Sequence, residues 1–255
     1  MKKSFVLIVL GILFTGMLCV SSRAQQPAPV YFAVFEEMVS TADMAAFSKA
    51  QQEAVDLWKK HNFDLPIYCY STDDNSFFWV MPMQNFASLD AMFEKSAAYM
   101  KKARELDGYD GSSFRDLSTT RFSYIRWMPD VSFHPDGKFG QTTDKKYMKW
   151  AFCYLKQGHE KEAAEAIKKY VDLFKKNGEA YEWDVYEVML GNDTPVWVLA
   201  TPSSNPFTLE QKESELNEKY KKDLPDMWAE FAKHVRRIEN KTGWFRQRWS
   251  INTGL

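Results

Sequence analysis

The stretch Leu57-Trp58-Lys59-Lys60-His61 is written a second time as Leu173-Phe174-Lys175-Lys176-Asn177. In both places a helical pattern precedes the motif, and a strand, a polar turn and a second strand bearing Trp follow it. Trp79-Val80 returns as Trp197-Val198, and Arg126-Trp127 returns as Arg248-Trp249, at offsets that drift only as turns lengthen. One half of the chain repeats the other, so the reading of either half decides the fold of both.

In the first copy, residues 31–37 are dense in aromatic and β-branched side chains and predict a strand. Asp43 caps a helix whose apolar residues Met44, Phe47, Val55 and Trp58 share one face. Pro66 opens a strand over 67–71, Asp73-Asp74-Asn75 supplies turn chemistry, and 76–81 returns antiparallel. Ser88 is the expected N-cap of a second helix with Leu89, Met92, Phe93, Ser96, Tyr99 and Met100 on its buried face. Residues 121–128 form the fourth strand.

The second copy repeats this order with a strand at 147–155, a helix at 160–176, and strands at 181–189 and 195–201 around Gly191-Asn192-Asp193. Thr208 with Gln211 reads as a capping box opening the second helical region. Pro225 breaks that region, and its longer part carries Leu224, Met227, Trp228, Phe231, Val235 and Ile238. Residues 244–251 close the order βαββαβ a second time.

Each copy is thus a ferredoxin-like unit with two helices on one face of a four-stranded antiparallel sheet. The bare faces of two such sheets cover each other, giving an α+β fold of two tandem units packed sheet to sheet as a fused barrel. The expected boundaries are 28–132 for the first unit, 133–144 for the linker and 145–255 for the second.

This order and its repetition resemble the dimeric α+β barrel superfamily, which includes antibiotic-biosynthesis-type monooxygenases, NIPSNAP-like proteins, chlorite dismutases and dye-decolourising peroxidases. The resemblance spans nearly the whole chain after its first residues. It implies a barrel interior that holds ligands, and for the haem-binding members a helix histidine in the C-terminal half as iron ligand, a place His234 could fill here.

The first 24 residues carry Lys2-Lys3, an apolar run from Phe5 to Val20, and Ser22-Arg23-Ala24. They read as a secretory signal cleaved after Ala24, too short to span a bilayer. A lipid anchor on Cys19 is the alternative, disfavoured by Leu18 before it. The expected location is therefore outside the cytoplasm, in the periplasm, with no membrane attachment after cleavage. Three of the 33 basic residues lie in this leader, so the remainder has 30 bases against 34 acids. That balance offers nothing to nucleic acid. Cys69 and Cys153 sit in apolar strand patterns and read as packing thiols.

Catalytic signatures are absent from the sequence. Asp136-Gly137-Lys138 lacks the rest of a phosphate loop, Gly111-Ser112-Ser113 is not a nucleophile elbow, and the four histidines have no metal-ligand spacing. No cofactor is expected. What remains is the strand faces turned away from the helices. Glu182, Asp184 and Tyr186 alternate with apolar neighbours, Arg246 and Arg248 share a face, and Tyr68, Tyr70, Tyr124 and Arg126 take matching places in the first copy. Lys149 interrupts an apolar strand.

These ten residues are the candidate ligand-binding set, with Arg248 expected to reach Glu182 or Asp184 inside the barrel. Simple inter-sheet ion pairing is the competing reading of the same charges. The expected function is a non-catalytic secreted protein with a small-molecule ligand in its barrel, compatible with a homodimer. The first alternative is a cofactor-independent monooxygenase with Trp79, Trp197, Tyr68 and Tyr186 lining a pocket and Glu182 or Asp184 as base. The second is haem binding.

Overall fold

The computed structural model describes residues 31–135, 144–191 and 193–254. The leader with its expected cleavage site and Cys19, residues 136–143 of the linker, and Asn192 lie outside the described residues. The first unit runs β1 (Tyr31–Val39), α1 (Met44–Lys60), β2 (Tyr68–Thr72), β3 (Ser76–Met83), α2 (Ala87–Asp107), β4 (Ser118–Trp127). The second runs β5 (Tyr147–Leu155), α3 (Glu160–Asn177), β6 (Asp184–Leu190), β7 (Val196–Ser203), α4 (Pro206–Lys219), α5 (Leu224–Ala232), β8 (Val235–Phe245). The order βαββαβ is present twice.

The eight strands form one closed antiparallel barrel in the order β1-β3-β2-β8-β5-β7-β6-β4. The units are sewn edge to edge, β2 to β8 with Tyr70 opposite Phe245, and β4 to β6 with Trp127 opposite Tyr186. An open four-stranded sheet leaves a row of unpaired N–H and C=O groups on each edge, and each unit satisfies the other's rows. Gly243 makes the first seam tight, because a Cβ there would stand 2.1 Å from the Ser71 carbonyl oxygen.

Helices cover the outside. From α1 come the buried Phe47, Ala50, Ala54 and Val55, and from α3 Ala163, Ala166, Ile167 and Phe174. Beneath α1 and α2 the sheet contributes Ala33, Cys69, Phe77 and Trp79 to one core, and beneath the helices of the second unit Leu155, Val185 and Trp197 join Phe231 in another. A third core fills the barrel and draws on every strand, among them Val34, Tyr70, Phe78, Ile125, Trp150, Tyr186, Val198 and Phe245. Both Cys69 and Cys153 are buried free thiols.

Local readings needed correction at five points. Ser88 lies inside α2 instead of capping it, and its N–H is accepted by Asn85 Oδ1 at 3.2 Å. The second helical region of the second unit is capped by Asn205, whose side chain accepts from Thr208 N at 2.9 Å with Pro206 in the first turn, instead of by a Thr208–Gln211 box. Phe93 of α2 is 53% exposed instead of core-facing. The last helix stops at Ala232, and Val235 and Ile238 belong to β8, which pairs with β5 along its length. The final strand consequently ends at Phe245, and Gln247–Trp249 is a 3-10 turn.

Candidate functional site

At the barrel mouth where β6 begins, Asp184 points inward: it is opposite Ala200, a barrel-core residue. Its Oδ1 accepts from Trp127 Nε1 at 2.8 Å and meets His134 Nε2 at 2.8 Å. His134 follows a bridge between Phe133 and Trp183 that lays the start of the linker across the mouth. On the other side of the imidazole stands Glu182, 3.9 Å away, which in turn accepts from Lys145 Nζ at 2.5 Å. The three side chains His134, Glu182 and Asp184 are only 9%, 14% and 13% exposed.

Electrostatics follow from this packing. Burial alone would depress the His134 pKa, but the bonds to Asp184 and Glu182 outweigh it and lift it to about 9. Burial likewise opposes ionisation of Glu182, and His134 with Lys145 overcomes it, holding the carboxyl below its ordinary range. At neutral pH the imidazole is charged between two carboxylates. Deeper in the barrel, burial first and neighbouring charge second push the Tyr70 and Tyr186 phenols well up, so both stay protonated donors.

The lumen behind this cluster is aromatic. Tyr70 meets Trp150 edge-on at 5.6 Å and Trp150 meets Phe78 at 5.3 Å, with Phe152 beyond. Its side chains keep a little exposure where the best-buried side chains under the helices keep none. No residue of the barrel core is less than 3% exposed, and Val34, Val80, Phe152 and Tyr186 are only partly buried although they point inward; the helix-side cores contain Ala33, Phe47, Cys69 and Leu155 at 0%. Toward the other end Lys241, facing inward opposite Trp150, is bound to Glu36 at 2.6 Å, Asp74 at 2.9 Å and Ser76 Oγ at 3.1 Å. These partners take the three N–H bonds of the ammonium.

Of the ten candidate residues, Tyr68, Tyr70, Asp184 and Tyr186 line the lumen, and Glu182 reaches its mouth. Five do not. Tyr124 lies on the helix side between Tyr31 and Phe86. Arg126 is also on the outer face, bound to Glu187 at 2.5 Å. Lys149 faces the helices and pairs with Glu213. Arg246 is exposed and donates to Ser71 Oγ at 2.6 Å, while Arg248 lies in the turn after β8 over the ring of Trp249, far from the carboxylates assigned to it. For Tyr124, Arg126 and Lys149 the physical reason is that strand residues here can be buried toward either the lumen or the helices, so alternation of polar and apolar residues does not distinguish the two sides; Arg246 and Arg248 lie beyond the end of β8 at Phe245. Trp79 and Trp197 also belong to the helix-side cores.

His134, Trp127, Glu36 and Lys241 were not among the candidates. A signal for His134 existed, since Ser132-Phe133-His134 is the counterpart of Ser250-Ile251-Asn252, but the linker composition concealed it. His234 does not fit a haem ligand. Its Nδ1 stands 3.0 Å from His159 Nδ1 at the turn before β8, and the space between the second sheet and its helices is filled by Leu155, Val185, Trp197 and Phe231 at 1% exposure or less.

The chain has the dimeric α+β barrel fold, in a fused tandem form. Solved structures of similar shape include an anthrone oxidase-like protein, with TM-score 0.58 and 10% identity over 87% of this chain and 93% of that one. They include a provisionally named monooxygenase from Fusobacterium nucleatum, with TM-score 0.51 and 13% identity over 86% and 93%. A chlorite dismutase variant from Candidatus Nitrospira defluvii matches with TM-score 0.52 and 11% identity over 87% and 93%. No protein-family model matches the chain, and no curated protein does. These findings correct the expectation of a non-catalytic barrel: the similar structures are named as provisional monooxygenases, an anthrone oxidase-like protein and a chlorite dismutase.

Proposed function

We propose that the chain is a cofactor-independent oxidising enzyme acting on a small, planar, hydroxylated aromatic molecule inside the barrel, with Asp184 as proton acceptor. The observation that carries this reading is a carboxylate fixed by Trp127 and His134 at the wall of an aromatic lumen. Chemistry of this kind asks the protein for an enclosed apolar slot and a group that ionises the substrate, which itself supplies the electrons.

Asp184 takes a proton from an activated CH₂ group or phenol. The resulting anion is stabilised by the neighbouring imidazolium of His134 and by the Tyr70 and Tyr186 hydroxyls, which burial keeps as donors. Dioxygen then accepts the electrons: one oxygen atom becomes a new carbonyl oxygen, on the CH₂ carbon or on the ring carbon para to the phenol, and the other leaves as water with the two hydrogens removed. Glu182 and Lys145 hold His134 and connect it to solvent.

Oxygen uptake by purified protein across a panel of anthrones and naphthols tests the reading. Uptake by the wild type that falls at least a hundredfold in Asp184→Asn is the expected result. No uptake across the panel counts against it. The leader adds a proposal about place, export from the cytoplasm, which fractionation of producing cells checks.

A further inference from the structure

The two halves of the barrel are related by a pseudo-twofold, and the relation holds atom for atom around the mouth. Met128 N donates to Val185 O as Arg246 N donates to Cys69 O. Ser132 Oγ accepts from Val185 N and donates to Met128 O, and Ser250 Oγ does the same with Cys69 N and Arg246 O. Phe133 bridges Trp183 as Ile251 bridges Ile67. The next residues then correspond as well, His134 to Asn252 and Asp184 to Tyr68. Because Trp127 is opposite Tyr186 and Phe245 opposite Tyr70, Trp127 corresponds to Phe245.

The fold therefore offers two half-sites, and they differ in chemistry. Where one has a carboxylate held by an indole N–H and an imidazole, the other has a phenol, a phenyl ring and an amide. That amide is engaged elsewhere, since Asn252 Nδ2 donates to the backbone oxygens of Phe63 at 2.6 Å and Leu65 at 3.3 Å. The Tyr68 hydroxyl donates to Thr253 O at 3.3 Å and lies in the barrel core against Phe245. Nothing in this half can accept a substrate proton as Asp184 does.

We propose that the chain binds one substrate molecule, an aromatic with an ionisable oxygen at one end only, placed with that end at Asp184 and its apolar end against Tyr68 and Phe245. This rests on the oxidising-enzyme reading for the role of Asp184 and goes beyond it in fixing stoichiometry, orientation and substrate class. A substrate hydroxylated at both ends would bury its second hydroxyl against the phenyl side of the lumen, where an unpaired polar group is costly.

Calorimetric titration of the full chain with a naphthol, hydroxylated at one end, and with the naphthalenediol hydroxylated at opposite ends is the test. The expected results are one naphthol per chain, at least fivefold weaker binding of the diol, and at least tenfold weaker naphthol binding in Asp184→Asn. Tyr68→Phe, which makes this wall wholly apolar, strengthens naphthol binding about twofold. Should Asp184→Asn fail to fold, Trp127→Phe, which removes the N–H that orients the carboxylate, is expected to weaken naphthol several-fold. Two naphthols per chain, equal affinity for the diol, or a Tyr68→Phe loss as large as that of Asp184→Asn overturns the inference while leaving the enzymatic reading intact. Naphthol binding as expected without oxygen uptake on any substrate sinks the enzymatic reading alone, and no binding of either molecule removes both.

Discussion

An imidazole set between two carboxylates keeps its proton in the folded chain and loses that advantage on unfolding. For His134 the folded pKa is raised from 6.5 to about 9, so its contribution to stability is complete below pH 6.5 and is lost as pH rises through 9. With allowance for solvent screening it amounts to about 2 kcal/mol. Denaturant midpoints measured from pH 6 to 10 should fall across that window, and His134→Asn should flatten the slope; an unchanged slope refutes the assignment. Tyr124 makes the opposite case. Its hydroxyl is buried with no protein partner, so Tyr124→Phe should leave stability level or raise it by about 1 kcal/mol, read as a melting-temperature increase. Sequence reading passed over His134 and put Tyr124 on the wrong face of its strand. Asp184 was legible because a carboxylate in a strand is anomalous, whereas a histidine beside Pro135 and Gly137 looks like ordinary linker, and a tyrosine in an aromatic strand carries no mark of which face it occupies.

At the level of elements, β5 and the helices α1 and α3 were legible nearly to the residue, since β5 and the paired motif at the ends of α1 and α3 stand where the repeat places them, while β4 and β6 start about three residues from the expected places. The misreading of 235–251 came from spacing. Phe231, Val235 and Ile238 fall on a helical stripe, but Val235 and Ile238 sit three apart on a strand whose register against β5 shifts between Tyr154 and Leu155, so both pack on the helix-side core, and pairing with β5 decides the matter. That slip moved Arg248 into a strand it does not occupy and made it the counterpart of Arg126, whose structural counterpart is Trp244, each being opposite the first tyrosine of its unit. The seam between β2 and β8 supplies the sharpest test at this scale. Gly243→Ala places a methyl group inside contact distance of rigid backbone, so it should cost more than about 3 kcal/mol and lower the urea midpoint accordingly. A loss below 1 kcal/mol would show that the seam is looser than its geometry.

As a whole molecule the two units share a single lumen core and complete each other's sheets, so neither retains its edges or its inner face when the other opens. Thermal unfolding should therefore be one transition, with calorimetric and van't Hoff enthalpies equal, and two resolved steps would mean that the seams are weaker than the cores they join. Fusion also lets the two halves differ, and here a carboxylate on one half corresponds to a phenol on the other. Closure has a consequence for the life of the protein at high concentration. Every described strand is hydrogen-bonded on both sides, so a neighbouring molecule or a stray fibril end finds no strand to extend. Growth of amyloid on the native protein is blocked at its first step, and conversion to fibrils must wait for the rare event in which β2 parts from β8 or β4 from β6.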